Sequence, residues 1–507
     1  GKTLFVLYVA KLLGKKVLFL TRTHSEFEAV GREAKRLGLK VAYLFGKPSV
    51  CPFATKDTKP DEIECRACQL FGKTKDMRGL SPSEILQVSR EASDYCPYYS
   101  LRELIGDSDV VVASYLYFFN PALRKIVLCK SNDCLKPNDT ILVVDEAHNI
   151  IKADDWFSKT ITKNSVKGAL KELDEVEEML GNKGSGEKEA FPNARQYLET
   201  LLKFMDRLDV SNECRELSTF PTPSQDELME LHKATQAYLN TIKGPVKRSH
   251  LRAIDDFVNT EGDILNCKGN IVVMPRDALE QAIRSLKAMD MKVLMSGTLI
   301  DVGLQGQWIN VDLRLGKPHF YYCKSIDSKA KNREKNAPKY ASIIEKVYAN
   351  ARSNVLVFFP SYEFKDMVKK YLTNVKTLEE DKDTVHGEIL ELMRVGKYAI
   401  LLVVGAKESE GVEFRDNEKN LFSDMVLAGL PYPNVKDVVV KKRIEKLSKL
   451  TGKVEEKVAH ELTLMAIKQT IGRAFRSDND EANIYLCDSR YAEYFNELGI
   501  SNPTIFY

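Results

Sequence analysis

Two groups of short, β-branched apolar runs constrain the fold of this sequence more than any other feature. A segment of helical period follows most of these runs, which lie at 17–20, 41–44, 110–113, 141–144 and 293–295 in the first group and at 355–359, 400–404, 425–428 and 483–486 in the second. Continuous apolar strands that alternate with helices are typical of parallel sheets covered on both faces. The 507-residue chain is therefore predicted to form two parallel-sheet α/β domains.

Two segments interrupt the first group of strands. Residues 46–105 carry a cluster of cysteines, several Pro and Gly, and little strand character. Residues 155–250 are highly charged and have helical period, which predicts an all-helical insertion. The expected organisation is a split first domain at 1–45, 106–154 and 251–300, the cysteine segment at 46–105, the helical insertion at 155–250 and a second domain at 301–507.

The composition excludes several classes of protein. The net charge of +3, from 75 basic and 72 acidic residues, rules out a histone-like cation, so that a nucleic acid would have to bind in local grooves. The longest apolar runs, 110–119 and 399–406, are far shorter than the roughly 18 residues of a membrane span, and we expect no membrane partner. Ten cysteines are too sparse for a disulfide scaffold.

The strongest single motif follows the apolar run 141–144, where Asp145, Glu146, Ala147 and His148 come in succession. Two carboxylates at the carboxyl edge of a parallel sheet lie where open α/β folds bind ligands. We expect Asp145 to hold Mg²⁺ and Glu146 to orient and deprotonate the water that attacks a nucleotide phosphate. A solvated Asp–Glu pair is the alternative, and the apolar run before the motif argues against it.

The tripeptide Gly1, Lys2 and Thr3 matches the end of a phosphate-binding loop, and it is more informative together with this motif. In a phosphate-binding loop, the lysine reaches the β- and γ-phosphates and the hydroxyl binds Mg²⁺ at the start of a helix. The tripeptide is weak alone, but together with Asp145 and Glu146 it predicts an ATP site. We expect the numbering to begin inside a longer native protein, and a preparation that starts at Gly1 to bind nucleotide poorly.

A second group of candidate catalytic residues lies in the other predicted α/β domain, at Gln469, Arg473 and Arg476. The two arginines are three positions apart and share one helical face, with the glutamine on the preceding turn. This spacing suits the stabilisation of a transferring phosphoryl group by arginine. A helix with a surface arginine pair is the alternative.

Four cysteines follow one another with the spacing C-x13-C-x2-C-x27-C, at Cys51, Cys65, Cys68 and Cys96. Thiolates that gather in one segment need a cation, so the spacing predicts a metal centre. Only one C-x2-C pair is present, and the spacing alone leaves both zinc and an iron–sulfur cluster open. We interpret the other six cysteines as structural.

The motifs occur in the order found in superfamily 2 helicases, and two further segments, 296–299 and 409–414, fit the same order. With the four cysteines between the first two motifs, the chain resembles XPD-type iron–sulfur DNA helicases, in a compact archaeal-like form, over essentially its full length. The resemblance implies two RecA-like motor domains, with an iron–sulfur insertion and an arch-like insertion in the first.

The resemblance also implies cofactors and their ligands. It favours a [4Fe–4S] cluster held by the four cysteines, together with ATP and with Mg²⁺ bound by Thr3 and Asp145. The residues expected to bind ATP are Gly1, Lys2, Thr3, Asp145, His148, Gly411, Glu413, Gln469, Arg473 and Arg476. The catalytic residues among the motifs are Asp145, Glu146, Gln469, Arg473 and Arg476.

A translocating ATPase also needs stacking and electrostatic contacts to a single strand. The residues that match DNA-contacting motifs of the family are Thr21, Arg22, Thr23, His24, Phe358, Ser361 and Tyr362. Tyr115 is a candidate for base stacking, as are Tyr117, Phe118 and Phe119, although we favour packing for at least two of these four.

The function implied by the resemblance is ATP-dependent translocation 5′→3′ on single-stranded DNA and unwinding of forked duplex DNA in nucleotide excision repair. We expect a monomer with transient repair-protein partners, in the cytoplasm, or in the nucleus if the source is eukaryotic. One alternative is a related iron–sulfur helicase that acts on damage-induced structures or R-loops. Another is a DNA-binding scaffold with a vestigial ATPase, against which the matched groups on both domains argue.

Overall fold

The computed structural model describes residues 2–129, 132–180, 190–211, 213–309, 316–379, 386–405, 414–416 and 419–507. The chain forms two compact units. The first comprises Gly1–Leu304 and Val435–Lys446, and the second comprises Gln305–Asn434 and Leu447–Tyr507.

The strands of the described residues are numbered in chain order. They are β1 (Lys16–Thr21), β2 (Val41–Leu44), β3 (Val110–Ser114), β4 (Thr140–Val144), β5 (Lys159–Ile161), β6 (Cys214–Glu216), β7 (Asp263–Cys267), β8 (Asn270–Met274), β9 (Lys292–Leu294), β10 (Lys317–Tyr322), β11 (Asn354–Phe359), β12 (Thr377–Glu379), β13 (Ala399–Val403), β14 (Arg415–Asp416), β15 (Lys419–Asn420), β16 (Phe422–Ala428), β17 (Glu481–Cys487) and β18 (Thr504–Ile505).

The α-helices are numbered in the same way. They are α1 (Lys2–Leu12), α2 (Ser25–Arg36), α3 (Lys47–Val50), α4 (Pro82–Arg90), α5 (Pro97–Glu103), α6 (Leu116–Phe119), α7 (Pro121–Val127), α8 (Ala153–Phe157), α9 (Lys163–Leu180), α10 (Pro192–Asp206), α11 (Gln225–Thr241), α12 (His250–Val258), α13 (Ala278–Lys287), α14 (Arg333–Asn350), α15 (Tyr362–Lys369), α16 (His386–Val395), α17 (Val438–Thr451), α18 (Glu455–Ile471) and α19 (Phe495–Leu498).

The first unit contains a five-stranded parallel sheet in the order β2-β3-β1-β4-β9. Every strand predicted for the first group is present, and the central strands are buried almost along their whole length. Because the strands are parallel, the residues that follow β1, β4 and β9 meet at one edge of the sheet. This edge carries the Asp145–His148 motif.

The insertion in the first unit differs from the all-helical prediction. Besides α9 to α12 it contains an antiparallel sheet in the order β5-β8-β7-β6, and the last two strands of this sheet in the chain lie beyond residue 250. Strands β5 and β6 have three residues each, which is too short for alternation to show against the helical period around them. The helices pack on this sheet through a buried apolar core.

Glu172 joins two helices of the insertion. It is almost fully buried on α9, and its carboxylate accepts hydrogen bonds from the Ser249 hydroxyl at 2.8 Å and from the backbone N–H groups of His250 and Leu251 at 2.8 and 2.9 Å. These amides belong to the first turn of α12, where no partner within the helix is available.

We expect Glu172→Ala to lower the free energy of local unfolding of the insertion by about 3 kcal/mol, because three buried donors lose their acceptor. Native-state hydrogen exchange of α9 and α12 measures this loss. Glu175→Ala, at an exposed position on the same helix, is the control and should change it by less than about 0.5 kcal/mol. Equal effects of the two substitutions would contradict the capping role.

The second unit contains a parallel sheet in the order β12-β13-β11-β16-β17-β10-β18. The four strands predicted for the second group are confirmed as β11, β13, β16 and β17. Strands β12 and β18 are too short to be recognised, and β10 has three exposed residues followed by three partly buried ones, so it shows neither an apolar run nor an alternation.

The cysteines outside the predicted cluster lie apart from it. Two disulfides join Cys129 to Cys134 and Cys214 to Cys267. Cys323 and Cys487 are buried free thiols whose sulfur atoms are 3.1 Å apart, at the ends of β10 and β17. Within the described ranges, none of the helices is both long and apolar enough to cross a membrane.

Candidate active site

The candidate site includes a backbone turn of unusual conformation at the end of β4. Glu146 follows β4 with φ of +45°, in the left-handed region that costs a residue with a side chain about 1–3 kcal/mol. The hydroxyl of Tyr115 donates hydrogen bonds to the backbone carbonyls of Asp145 and Glu146, and the side-chain amide of Asn149 donates to the Glu146 carbonyl at 3.1 Å. These bonds stabilise the strained turn.

This role corrects the prediction that Tyr115 stacks on a base. Its side chain is only 5% exposed and lies against Trp156 and Phe119, so its ring face is not available to DNA. The neighbouring aromatic residues Tyr117, Phe118 and Phe119 are buried as well, and the preference for packing holds for all four. No sequence pattern distinguishes a buried tyrosine that supports a turn from one that stacks on DNA.

The two carboxylates of the turn have opposite pKa shifts. Burial, and then the neighbouring charge of Glu146, raise the pKa of Asp145 to about 6. Burial would also raise the pKa of Glu146, but a hydrogen bond from His148 and the positive charge of Lys2 lower it below its ordinary value. Glu146 is therefore ionised at neutral pH, and two crowded, partly buried carboxyls form an environment that favours a bound cation.

His148 and Ser296 complete a small hydrogen-bond network with Glu146. The Nδ1 atom of His148 lies 2.8 Å from the Ser296 hydroxyl and 3.2 Å from Oε2 of Glu146. The same hydroxyl lies 3.3 Å from Oε2 of Glu146 and accepts the backbone N–H of Thr298 at 3.0 Å. Ser296 follows β9, so this network links two neighbouring strand ends at the sheet edge.

We expect Ser296→Ala to lower kcat for ATP hydrolysis about 10-fold with little change in KM. Glu146 would keep its negative charge but would lose the hydroxyl that helps to orient its carboxylate. Steady-state ATPase assays measure this split. Ser25→Ala, at an exposed hydroxyl on α2, serves as the control. A rise in KM without a change in kcat would contradict the orienting role.

The phosphate-binding tripeptide is described in part. Lys2 and Thr3 lie in the first turn of α1, whereas Gly1 lies outside the described residues. The ammonium of Lys2 is close enough to lower the pKa of Asp145 and of Glu146. Lys2, at the start of a helix, is therefore near enough to the two carboxylates to interact with them electrostatically.

The segment Thr21–His24, predicted to contact DNA, is held in a tight turn after β1. Thr21 is fully buried and its hydroxyl donates to the carbonyl of Thr23 at 3.0 Å, so this side chain does not face DNA. Thr23 is exposed and Arg22 is half-buried. The backbone N–H groups of Arg22 and Thr23 donate to the carboxylate of Glu26 at 2.9 and 3.2 Å, a positioning contact that the sequence motif does not reveal.

His24 packs its ring against Phe27 and Phe45, with centroid distances of 5.2 and 4.8 Å. Burial lowers the pKa of His24, so the ring is neutral at neutral pH. A neutral imidazole can make no ionic contact with a phosphate, so the DNA contact predicted for His24 would have to be a hydrogen bond.

The second unit contains the other predicted DNA residues. Phe358 lies within β11 and is 1% exposed, which corrects its assignment to DNA; it packs in the core, 5.9 Å from the guanidinium of Arg473. The hydroxyl of Ser361 caps α15 by accepting the backbone N–H of Phe364 at 3.3 Å. Tyr362 is 46% exposed and remains able to stack on a base.

The predicted arginine motif lies at the end of a long helix in the same unit. Gln469 is in the last turn of α18, Arg473 is in the 3₁₀ helix Gly472–Ala474, and Arg476 follows it. The prediction that the two arginines share one helical face is wrong, because α18 ends at Ile471 and Arg476 lies beyond the 3₁₀ helix. Gly411 and Glu413, which were expected to bind ATP, lie outside the described residues.

The four clustered cysteines line one cavity in the first unit. Its wall is otherwise mostly apolar or aromatic and includes Phe71, Tyr98 and Pro245, and the cysteines are Cys51, Cys65, Cys68 and Cys96. All four are free thiols. Burial, followed by the charge of the neighbouring thiolates, raises the pKa of Cys51 and of Cys96, although nearby backbone N–H groups oppose this.

Backbone N–H groups are directed at these sulfur atoms. Cys51 is approached by the amides of Phe53 and Ala54, Cys96 by those of Tyr98 and Tyr99, and Cys68 accepts the amide of Leu70 at 3.4 Å. Hydrogen bonds to sulfur are a common feature of iron–sulfur sites. Among the described residues, no three or more His, Cys, Asp or Glu side chains are close enough to share a single metal ion.

Comparisons with known proteins agree with this architecture. Three family models match the chain: DEAD_2 over residues 46–166, the arch domain of the DNA repair helicase XPD over 159–275, and the helicase C-terminal domain over 344–499. The arch match contains the antiparallel sheet, including the two strands beyond residue 250.

Two solved structures and one curated relative resemble the chain along its length. The structure of Xpd4 from S. tokodaii is 38% identical with a TM-score of 0.79, and another XPD helicase structure is 25% identical with a TM-score of 0.84; the match covers 100% of this chain and 94% of each. The ATP-dependent DNA helicase XPD of Sulfolobus acidocaldarius is 28% identical, over 98% of this chain and 91% of that protein.

The chain has two parallel-sheet units, with the helicase motifs in order and an arch insertion in the first unit. These features identify an ATP-dependent helicase. The chain belongs to the XPD family of DNA helicases. The resemblance drawn from the sequence motifs is thereby confirmed.

Proposed function

We propose that this protein moves 5′→3′ along single-stranded DNA, separates forked duplexes and acts in nucleotide excision repair. The observation that carries the motor assignment is the group of Lys2, Asp145, Glu146, His148 and Ser296 at one edge of a parallel sheet. The repair role is supported by the match to the arch domain of a DNA repair helicase.

The chemistry follows from the charges of this group. Glu146 is the general base, because its pKa is lowered and it is ionised while a hydrogen bond from His148 orients it. Asp145 and Thr3 would hold Mg²⁺, and Lys2 would bind the terminal phosphates of ATP. The roles proposed for Gln469, Arg473 and Arg476 come from their motif, and the arginines would stabilise the charge of the transferring phosphoryl group.

The cavity of four cysteines supports the [4Fe–4S] cluster that the family resemblance implies. The four thiolates of a cluster each bind a different iron atom, and backbone N–H groups commonly donate to its sulfur atoms. Four free thiols line one mostly apolar cavity here, and backbone N–H groups are directed at three of them. When bound, the cluster would crosslink the segment and could carry an electron.

The proposed DNA contacts are the predicted residues that are exposed or half-buried. They are Arg22, Thr23 and His24 in the first unit and Ser361 and Tyr362 in the second, whereas burial excludes Thr21, Tyr115 and Phe358. We further propose that the arch spans about the range of its family match, 159–275, since β7 and β8 complete its sheet.

Strand displacement on duplexes with a single tail tests the proposal. The full-length protein with ATP and Mg²⁺ is expected to displace the strand of a 5′-tailed duplex and to leave a 3′-tailed duplex intact. Displacement from the 3′-tailed duplex alone would refute the polarity, and a repair role would be refuted if strains that lack the protein tolerate ultraviolet light as well as the wild type.

A further inference from the structure

A small hairpin in the second unit holds the loop that carries the arginine motif. Strands β14 and β15 form this hairpin, with Arg415 paired to Asn420 and Asp416 to Lys419. It follows Phe414 directly, the last residue of the segment 409–414 that matches a helicase motif. The loop it contacts runs from Arg473 to Asp480, between α18 and β17.

Arg415 and Asp480 form the central contact. The guanidinium Nη1 and Nη2 atoms of Arg415 lie 3.0 and 3.1 Å from the two carboxylate oxygens of Asp480, and the side chains are only 9% and 5% exposed. Such bidentate pairs fix direction as well as distance. Burial raises the pKa of Asp480, but the hydrogen bonds from Arg415 and from two backbone amides lower it below its ordinary value.

The carboxylate of Asp480 also holds the backbone of the arginine loop. Its Oδ2 atom accepts the N–H of Arg476 at 2.6 Å and the N–H of Ser477 at 2.8 Å. The backbone carbonyl of Asp480 accepts the N–H of Lys317 at 2.7 Å, which attaches the loop to β10. One buried carboxylate thus fixes the backbone at Arg476 and Ser477.

Asn420 adds a second contact from the same hairpin. Its side-chain amide donates to the carbonyl of Ala474, between the two arginines, at 2.8 Å, and its Oδ1 atom accepts from Arg415 at 2.8 Å. The hairpin therefore binds the loop at Ala474 and, through Asp480, at Arg476. Arg415, Asn420 and Asp480 make one connected, largely buried network.

We propose that Arg415, Asn420 and Asp480 are positioning residues for ATP hydrolysis: they fix the backbone of the loop that carries Arg473 and Arg476. The proposal rests on the proposed role of the two arginines. This buried ion pair holds the loop more firmly than an exposed pair would, because neither partner can be released without leaving a buried, unpaired charge.

The test is a double-mutant cycle on the full-length protein, with kcat and KM for ATP measured at saturating single-stranded DNA. Arg415→Gln is expected to lower kcat about 10- to 100-fold through misplacement of a catalytic group, with KM unchanged. In an Arg476→Ala background the same substitution is expected to add almost no further loss, since Arg415 acts through Arg476. A merely structural role would give losses that multiply.

Two further variants separate the proposal from loss of folding. Asn420→Ala removes the contacts to Ala474 and to Arg415 but leaves the pair of Arg415 and Asp480 in place, and it should give a smaller loss of kcat in the same direction. Arg394→Gln removes an exposed ion pair to Asp416 of the same hairpin, with 3.0 Å between the charged groups, and should leave kcat unchanged. Thermal unfolding of each variant identifies any that is misfolded.

The outcomes are distinguishable from failure of the proposed function. One outcome overturns the positioning network alone: Arg476→Ala loses activity, but Arg415→Gln and Asn420→Ala both keep the wild-type kcat. Wild-type kcat in the single variants Arg473→Ala and Arg476→Ala overturns the role of the arginines, and the network with it. A kcat loss in Arg415→Gln that disappears in the Arg476→Ala background supports the proposal.

Discussion

Replacement of Glu146 by glutamine is expected to lower kcat for ATP hydrolysis about 1000-fold, within the range that a general base contributes, while nucleotide still binds. Glutamine keeps the size of the side chain and can still hydrogen-bond to His148 and Ser296, but it cannot accept a proton. The measurement is single-turnover hydrolysis of ATP by the full-length protein, with binding of a fluorescent nucleotide followed separately.

Glu26 provides a matched control for this substitution. It is another half-buried carboxylate, close enough to interact with Glu146, and partial burial raises its pKa. Glu26→Gln retains an oxygen that can accept the N–H groups of Arg22 and Thr23. We expect its kcat to stay close to that of the wild type; similar losses for the two variants would show that local charge, not proton transfer, is responsible.

Replacement of Cys51 by serine is expected to remove bound iron and to lower unwinding more than about 100-fold, since even indirect partners of metal ligands cost 10- to 100-fold. Much of the DNA-stimulated ATPase activity should remain, because the cysteine cavity and the Asp145–His148 turn are formed by different segments of the first unit. Iron content, strand displacement and ATPase activity are measured on the same preparation.

Cys323→Ala is the control for a general effect of cysteine loss. Cys323 is a buried free thiol in the second unit and does not line the cavity. Its iron content and unwinding should equal those of the wild type. Normal strand separation by Cys51→Ser would refute the role assigned to the cavity, and bound zinc in place of iron in the wild type would refute the cluster.

The parallel sheets could be predicted from the sequence because their strands are buried on both faces. Runs such as 141–144 and 355–359 are continuous and apolar, and every predicted strand is present. The sheet of the insertion could not be predicted in the same way. Its strands β5 and β6 have only three residues, and their pairing with β8 and β7 joins segments about 50 to 110 residues apart.

The candidate site shows a similar division. Asp145, Glu146 and the four cysteines are recognisable because their chemistry requires particular residue types at particular spacings. Tyr115 and Phe358 were assigned to DNA wrongly, because aromatic side chains serve cores and stacking surfaces equally well and burial alone distinguishes the two.

Contacts between segments that are distant in the sequence could not be predicted from sequence patterns. Asp480 lies 65 residues from Arg415, and neither residue forms part of a helicase motif. Glu26 holds the turn at Arg22 and Thr23 by accepting backbone amides, which any residue could donate. The role of such a residue depends on which residues the fold brings close to it, and a single sequence does not show these contacts.

The most direct test of a DNA-unwinding motor is strand displacement by the full-length protein on 5′- and 3′-tailed duplexes, with ATP and Mg²⁺ and with iron determined on the same sample. We predict ATP-dependent displacement on the 5′-tailed duplex, about four iron atoms per chain for one [4Fe–4S] cluster, and loss of displacement in Glu146→Gln. An iron-loaded protein that hydrolyses ATP but displaces neither duplex would contradict the account.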